Sequence, residues 1–325
     1  MEKIYFIVNP NAKNGSCREI WRNIEKELEN LDIPYLAFFT EYSGHAQELA
    51  ESIARKADGT PEVIAAVGGD GTLHEVVNGV ASYSNITVGF IPGGSGNDFS
   101  RGFEIPKKAV HALSLVLENY GGKTEIDIGK IQHNELQKTY FMNNMGVGFD
   151  AAVAKDSNES SMKQLLNRFS LGRLVYVYIL VKKLLTFRTI PIEVTTDGKV
   201  YKYSNAWFVT VSNQPYYGGG MKIAPVALPD DGILDITVVH QISRLKLLLV
   251  FVSVFWGKHT MFREVEQFTG KSITIESPDE VLAHADGEAI GYTPLKIQAC
   301  PKALKILSGK NNKGHTEELK INDCH

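Results

Sequence analysis

The sequence predicts an α/β plus β fold. A doubly wound N-terminal α/β domain is expected over residues 1–130 and a C-terminal β-sandwich domain over 131–294. Three observations predict it. Over the first 130 residues, strand-like and helix-like runs alternate at the spacing of a parallel sheet covered on both faces. From about Lys130, strand-like runs follow one another with turn signals between them. The 29 glycines of the 325-residue chain gather in tight clusters just after strands, where open sheets of this kind bind ligands.

The elements follow in order. Residues 4–8 are a short apolar run ending at Asn9-Pro10, a strand passing into a loop. Residues 19–31 carry Ile20, Ile24, Leu28 and Leu31 at the spacing of one helix face. A strand over 35–39 and a helix over 46–57, starting near Gly44 or His45, come next. The third apolar run, 63–67, ends in Gly68-Gly69-Asp70-Gly71. A helix over 74–81, a strand over 87–91 and a helix over 107–118 complete the first pattern. Further strands are expected at 140–144, 192–196, 201–211, 234–240 and 272–276, with apolar helical stretches at 162–187 and 244–259. The polar residues 308–325 read as a frayed tail.

Composition excludes several classes. Lys plus Arg is 34 and Asp plus Glu is 37, a net charge of −3, which argues against nucleic acid as a partner. Apolar residues at 43% and charged residues at 22% exclude wholesale disorder. Cys17, Cys300 and Cys324 lack CxxC spacing, so a reducing, cytoplasmic setting is expected, without disulfide framework or zinc site. The chain enters a β-like run directly after Met1-Glu2-Lys3, and no signal peptide is expected. The most apolar stretches, 174–181 and 247–256, fall short of the ~20 residues of a membrane span. The expectation is a protein at most peripheral to a membrane.

Gly68-Gly69-Asp70-Gly71-Thr72 carries the strongest chemical signal. Glycines directly after a strand let backbone N–H groups converge on an anion, and a following helix adds its partial positive charge. Asp70 fits such a loop if it binds a cation or orients water around it. Gly93-Gly94-Ser95-Gly96-Asn97-Asp98 repeats the pattern after the next strand. There Ser95 and Asn97 could donate to phosphate and Arg101 could offset its charge, or the segment is a helix N-cap in a plain loop. Asn9 to Gly15 could close over a phosphate with Lys13 as counter-charge, or be an ordinary turn. In His284-Ala285-Asp286-Gly287-Glu288, two carboxylates flank a glycine, as a base for a substrate hydroxyl or as an exposed turn. Residues 225–233 could bend carbonyls and a carboxylate around a hard cation or simply lead into the next strand. Gly121-Gly122-Lys123-Thr124 is not a P-loop, because Leu117 stands where its first glycine belongs. Gly146-Val147-Gly148-Phe149-Asp150 reads as packing. The stretch 160–190 holds Lys163, Arg168, Arg173, Lys182, Lys183 and Arg188 without Asp or Glu, a basic amphipathic segment for an anionic membrane or a solvated helix face.

Together these residues resemble the diacylglycerol kinase catalytic-domain family, which includes bacterial soluble lipid kinases and sphingosine kinases. Gly68 to Gly79 resembles its nucleotide loop, Gly94 to Arg101 its second loop, Gly218-Gly219-Gly220 with Ala224-Pro225 and Asp231 to Asp235 its metal-binding stretch, and Asp286-Gly287-Glu288 its acidic motif. The resemblance covers about residues 1–305. It implies an NAD kinase/diacylglycerol kinase-like fold in which a segment at about 295–310 returns to the first domain, with ATP and Mg²⁺ as cofactors. It implies ATP contacts from Asn9, Lys13, Thr40, Gly68, Gly69, Asp70, Gly71, Thr72, Leu73, His74, Glu75, Gly94, Ser95 and Asn97. It implies that Asp70, Asp98 and Asp127 organise Mg²⁺ and water beside Arg101. Leu228 and Ile233 carbonyls with Asp231 would hold a second, structural Mg²⁺, and Asp286 or Glu288 would be the base. His74 stands where Asn is usual, His284 where Gln is frequent, and Ser95 where Thr is usual. The implied reaction moves the γ-phosphate of ATP to a neutral lipid hydroxyl at a membrane surface, diacylglycerol giving phosphatidic acid. An NAD kinase-like enzyme and a non-catalytic lipid-binding regulator are the alternatives, and a homo-oligomer is compatible with the sequence.

Overall fold

The computed structural model describes residues 4–94, 96–118, 123–133, 137–159 and 172–309. The N-terminal layer begins with β1 (Ile4–Val8), α1 (Cys17–Asn30), β2 (Tyr35–Phe39), α2 (His45–Lys56), β3 (Glu62–Gly68), α3 (Asp70–Val80) and β4 (Ile86–Pro92). The strands β2-β1-β3-β4 lie parallel in that order. β3 and β4 are buried along their whole length, as expected for strands covered on both faces. α1 shows how a helix docks: Cys17, Trp21, Ile24 and Leu28, at i, i+4, i+7 and i+11, are its buried residues. Burying such side chains contributes about 1.5–3 kcal/mol each. The layer closes with the short α4 (Asp98–Gly102) and with α5 (Ala109–Glu118).

The chain then runs through β5 (Lys123–Gln132), β6 (Lys138–Phe141), β7 (Asn144–Gly148), α6 (Phe149–Glu159), α7 (Gly172–Thr186), β8 (Ile190–Thr196) and β9 (Lys199–Ser212). After it come β10 (Tyr216–Tyr217), β11 (Met221–Lys222), β12 (Leu234–His240), α8 (Arg244–Val254), β13 (Val265–Gly270), β14 (Ser272–Glu276), β15 (Leu282–Ala285), β16 (Glu288–Tyr292) and β17 (Leu295–Leu307). This is a β-sandwich-like domain. Its strands pair in the order β16-β15-β7-β9-β8-β14-β17, and β9 also carries β12 and, through it, β13. A second apolar core fills it, with Val209, Val211, Ile236, Val238, Ile273 and Ile297 among its members. β17 joins the two layers. Its first half pairs with β14, Lys305 and Ile306 pair parallel to β4, and β5 runs antiparallel along most of it.

Several elements differ from the sequence reading. α3 starts at Asp70, not 74, with Gly69 as its N-cap. The expected loop is therefore only Gly68-Gly69, and Asp70 to Glu75 occupy the helix's first turns. The expected strand 140–144 breaks at Met142-Asn143, because the amides of 142, 143 and 144 turn to the Asp286 carboxylate. The helical stretch 244–259 ends at Val254, and Gly257 takes φ 67 before a 3-10 turn. Of the stretch 162–187, α7 covers 172–186, and the remainder lies outside the described residues. β5, β13, β15 and β16 escaped the sequence reading. Ser308, expected to fray, is fully buried and bonded to Thr124 at 2.9 Å; residues 310–325 lie outside the described residues.

Candidate active site

The two glycine loops touch. A Cβ on Gly94 would collide with the Cα of Gly69, so only glycine lets the ends of β3 and β4 approach this closely. A Cβ on Gly71 would stand 2.9 Å from Oε1 of Glu288. The acidic turn between β15 and β16 therefore reaches the N-terminal turn of α3, and the three elements share one cleft. The cleft holds about 500 Å³ and is lined by Asn9, Lys13, Thr40, Gly69, Gly71, Thr72, Glu75, Gly94 and Glu288. Such a volume suits a nucleotide-sized ligand. Asn9 Nδ2 donates to Thr72 Oγ1 at 3.1 Å, fixing the loop after β1 on α3. Asn11, Ala12, Glu41, Tyr42, Ser43 and Ala46 also line the cleft and were missed. Asn11 and Ala12 belong to the Asn9 to Gly15 stretch without having been singled out, and Glu41, Tyr42, Ser43 and Ala46 stand in no motif.

Other expected residues do different work. Leu73 is fully buried in the core. Glu75 lines the cleft, but its carboxylate accepts from Gly44 N at 2.8 Å and Ala46 N at 3.0 Å, which holds the start of α2. Arg101 donates to Gly96 O and Asp98 Oδ1, each at 2.7 Å, so it braces the second loop. Asn97 sits at φ 56 in that loop. Gly68 lies at the end of β3, outside the cleft lining. Ser95 lies outside the described residues.

Asp127 was expected to organise Mg²⁺ and water with Asp70 and Asp98. It is fully buried, and its oxygens accept from Gly232 N at 2.6 Å and Lys302 N at 2.7 Å. It ties the 229–232 loop, which carries Asp231, to the bend in β17. In that loop Asp231 Oδ1 accepts from Ile233 N at 3.1 Å. Burial, and then the Asp231 charge, push Asp235 up to about 6. One carboxylate with the Leu228 and Ile233 carbonyls is a donor set that a hard cation retaining its waters can use. Among the described residues no group of three or more His, Cys, Asp or Glu is placed to hold a metal.

Asp70 and Asp98 face each other at the loop ends. Asp70 accepts from the amides of Asp98 and Phe99 at 3.3 and 3.4 Å. Asp98 accepts from Gly219 N at 2.7 Å. Burial, followed by the Asp98 charge, raises Asp70 to about 6, and burial raises Asp98. Two buried carboxylates that resist ionising together are suited to a cation brought in with a triphosphate.

The acidic turn holds two differently employed carboxylates. Asp286 has a fully buried side chain and four donors. Asn143 N and Asn144 N reach Oδ1 at 2.9 and 3.2 Å. Met142 N and His74 Nδ1 reach Oδ2 at 3.1 and 3.0 Å. The His74 tautomer follows from its neighbours. Asn78 Oδ1 accepts from Tyr140 N, so Asn78 Nδ2 is the donor to His74 Nε2 and Nδ1 carries the proton. Glu288 lines the cleft.

Behind the turn lies an apolar cavity between the sandwich and helices α6, α7 and α8, lined by Phe149, Leu184, Phe208, Leu248, Phe251 and Val254 among others. Asp150, read from sequence as packing, projects into it. Its Oδ1 accepts from Ala151 N, while its buried Oδ2 has no hydrogen-bond partner and lies 3.5 Å from His284 Nε2. Gly287 N donates to His284 Nδ1 at 3.3 Å, so Nε2 carries the proton and donates to Tyr217 at 2.9 Å. His284 thus joins the acidic turn to the wall of the cavity. No sequence spacing marked Asp150 or Tyr217.

Comparison with known proteins gives a consistent result. Residues 3–131 match the family model described as diacylglycerol kinase catalytic domain, and residues 143–308 the one described as YegS C-terminal NAD kinase beta sandwich-like domain. The chain is 35% identical over 307 residues to "Putative lipid kinase YtlR" of Bacillus subtilis (strain 168), spanning 94% of this chain and 99% of that one. It is 28% identical over 305 residues to a diacylglycerol kinase of Mycobacterium tuberculosis (strain ATCC 25618 / H37Rv), 94% of each. A crystal structure described as a diacylglycerol kinase from Bacillus anthracis str. Sterne superposes with a TM-score of 0.71 at 26% identity, covering 95% of this chain and 97% of that one.

Proposed function

The chain belongs to the diacylglycerol kinase family and is a lipid kinase, and we propose that it transfers the γ-phosphate of ATP to the hydroxyl of diacylglycerol, giving phosphatidic acid. The observation that supports this reading is the meeting of Gly69, Gly94 and Glu288 in one cleft with an apolar cavity behind the same acidic turn. The triphosphate lies against the loops after β3 and β4, where N–H groups at the start of α3 face it. Thr72, Thr40 and Asn9 border the rest of the nucleotide, and Lys13 supplies a counter-charge at the rim. Asp70 and Asp98 would hold Mg²⁺ brought with ATP, and Asp231 with the Leu228 and Ile233 carbonyls would hold a second ion. When bound, the metal neutralises charge building on the transferring phosphoryl group.

The lipid chains would enter by way of the apolar cavity, which at about 60 Å³ has to widen to take them, and the hydroxyl would meet the γ-phosphate at the acidic turn. Asp150 Oδ2 and Tyr217 accept or donate to the polar end of the lipid, which supplies the partner that Asp150 lacks. Glu288 takes the hydroxyl proton, because its carboxylate borders the cleft while a proton on Asp286 would displace one of four donors. Asp286 instead fixes the turn and thereby the position of Glu288. Transfer of this kind depends on positioning and electrostatics.

The test is transfer of radiolabelled phosphate from ATP to diacylglycerol in mixed micelles, beside a panel of other lipid alcohols and NAD. Glu288→Gln should lower kcat by about 10²–10⁴, the range for general base catalysis. Label appearing in NAD and in no lipid would overturn the reading. A Glu288→Gln variant at full turnover would move the base to Asp286.

A further inference from the structure

The acidic turn is a tight hairpin whose two central residues are held in different ways. Asp286 and Gly287, at φ 49 and 93, stand between the paired Ala285 and Glu288. Asp286 is fixed from outside the hairpin. Its carboxylate accepts from Met142, Asn143 and Asn144 amides, and its own amide donates to Asn144 O at 2.8 Å. Gly287 has no such anchorage in packing, since a Cβ on it would meet nothing within 4 Å. A glycine also has more backbone freedom than any other residue. Its N–H donates at 3.3 Å to His284, which lies in the same hairpin and moves with it. Its carbonyl accepts from Asn158 Nδ2 at 2.9 Å, and that bond comes from outside the hairpin.

Asn158 sits near the end of α6. Asp156, two positions back and so on the opposite face of the helix, pairs with Lys183 of α7 at 3.0 Å. The same helix packs against β15 and β16. Asn158 itself lines neither the nucleotide cleft nor the apolar cavity. The carbonyl that it holds belongs to the peptide that supplies the amide of Glu288. Rotation of this peptide swings the Glu288 Cα and its carboxylate. That carboxylate is close-set, because a Cβ on Gly71 would stand 2.9 Å from its Oε1.

We propose that Asn158 is a positioning residue for phosphoryl transfer: its bond to the Gly287 carbonyl orients the peptide leading into Glu288, and so sets the base against the lipid hydroxyl. The inference rests on the lipid-kinase reading with Glu288 as base. Displacing a reacting group by ~1 Å can cost about 10²-fold in rate, so a single exposed hydrogen bond can matter for turnover while contributing little to stability.

The experiment measures transfer of radiolabelled phosphate from ATP to diacylglycerol in mixed micelles by the full chain and its variants. Asn158→Asp is nearly isosteric but cannot donate when ionised, and Asn158→Ala removes the side chain without adding charge. Both should lower kcat by about 10–100-fold, with KM for ATP and for lipid within about twofold of wild type. Both should melt within about 2 °C of wild type, as surface substitutions do. Asn158→Gln keeps the donating NH2 on an exposed side chain and should recover most of kcat. In a Glu288→Gln background, Asn158→Ala should cause no further loss, because the group it positions is already gone. Wild-type kcat in Asn158→Ala and Asn158→Asp overturns the proposal. So do equal losses in Asn158→Gln and Asn158→Ala, a raised lipid KM at unchanged kcat, or a further tenfold loss in the Glu288→Gln background. Failure of the underlying reading shows elsewhere, as wild-type protein that labels no lipid or Glu288→Gln at full turnover, and it takes the proposal with it. Failure of the proposal alone leaves wild type active, Glu288→Gln impaired and the Asn158 variants like wild type.

Discussion

Asp286→Asn tests how the acidic turn is built. The carboxylate gives two donors to each oxygen, whereas an amide has one oxygen and a donating NH2. If the NH2 takes the Oδ1 position, the amides of Asn143 and Asn144 lose their acceptor. If it takes the Oδ2 position, the Met142 amide and His74 Nδ1 do. His74 cannot adapt by changing tautomer, because a proton on Nε2 would face the Asn78 donor. Two buried donors orphaned at about 1–3 kcal/mol each give ~2–6 kcal/mol. At about 2–4 °C per kcal/mol, the melting temperature should fall by roughly 4–24 °C. Thermal unfolding by circular dichroism reads the shift, and the kinase assay below the transition reads activity. Glu288→Gln should melt with wild type and still lose turnover. An Asp286→Asn protein that melts with wild type while losing activity as fully would refute the structural role given to Asp286 and make it the base.

Four further outcomes follow from the geometry. Gly94→Ala pushes a methyl group onto Gly69 and should weaken ATP binding in calorimetry at least ~10-fold, since it separates the two phosphate-facing loops; an unchanged Kd would mean that the loops do not share the nucleotide. Asp150→Asn should raise KM for the lipid with KM for ATP unchanged, and equal changes in both would remove Asp150 from the lipid site. Asp127→Ala orphans the buried amides of Gly232 and Lys302 and should destabilise by ~3–6 kcal/mol, two charge-assisted bonds at about 1.5–3 each; a native melting curve would contradict it. Asp70, at about 6 in the folded chain against an ordinary 3.8, holds a proton that the unfolded chain has released between those values. Stability of the ATP-free protein should therefore fall as pH rises through that window, by up to ~1.4 kcal/mol per pH unit, and stay lowered above it. Asp98 and Asp235 are raised and act in the same sense. A melting temperature that climbs steadily from pH 4 to 6 would refute the assignment.

The parallel sheet was legible because its signals are local. β3 and β4 are short apolar runs that end in glycine and proline, and α1 and α2 show one apolar face each. The convergence of the two glycine clusters followed, since adjacent parallel strands bring their carboxyl ends together. What escaped the sequence depends on contacts distant in the chain. Asp127 looked like a third acid for the cation, but its partners lie 105 and 175 residues away. β13 and β16 carry too few buried positions to stand out by periodicity. Asp150 follows a Gly-Val-Gly run that reads as packing, and only the fold of α6 against β15 sets its carboxylate beside His284.

His74 and His284 fall on either side of the acidic turn, and each donates at one ring nitrogen and accepts at the other. A side-chain amide carries two N–H donors and an acceptor oxygen together at its end, whereas a neutral imidazole carries one donor and one acceptor on opposite edges. His74 uses Nδ1–H for Asp286 and leaves Nε2 to accept from Asn78; His284 accepts from Gly287 N at Nδ1 and points Nε2–H at Tyr217. A histidine at each position therefore sets one donor and one acceptor on opposite edges of a rigid ring. A carboxamide satisfies two partners close together on one side, whereas the imidazole bridges partners across its width. In this chain those partners are α3 and the acidic turn for His74, and the acidic turn and the cavity wall for His284. The turn that presents Glu288 is thus held from the side of α3 and from the side of the apolar cavity at once.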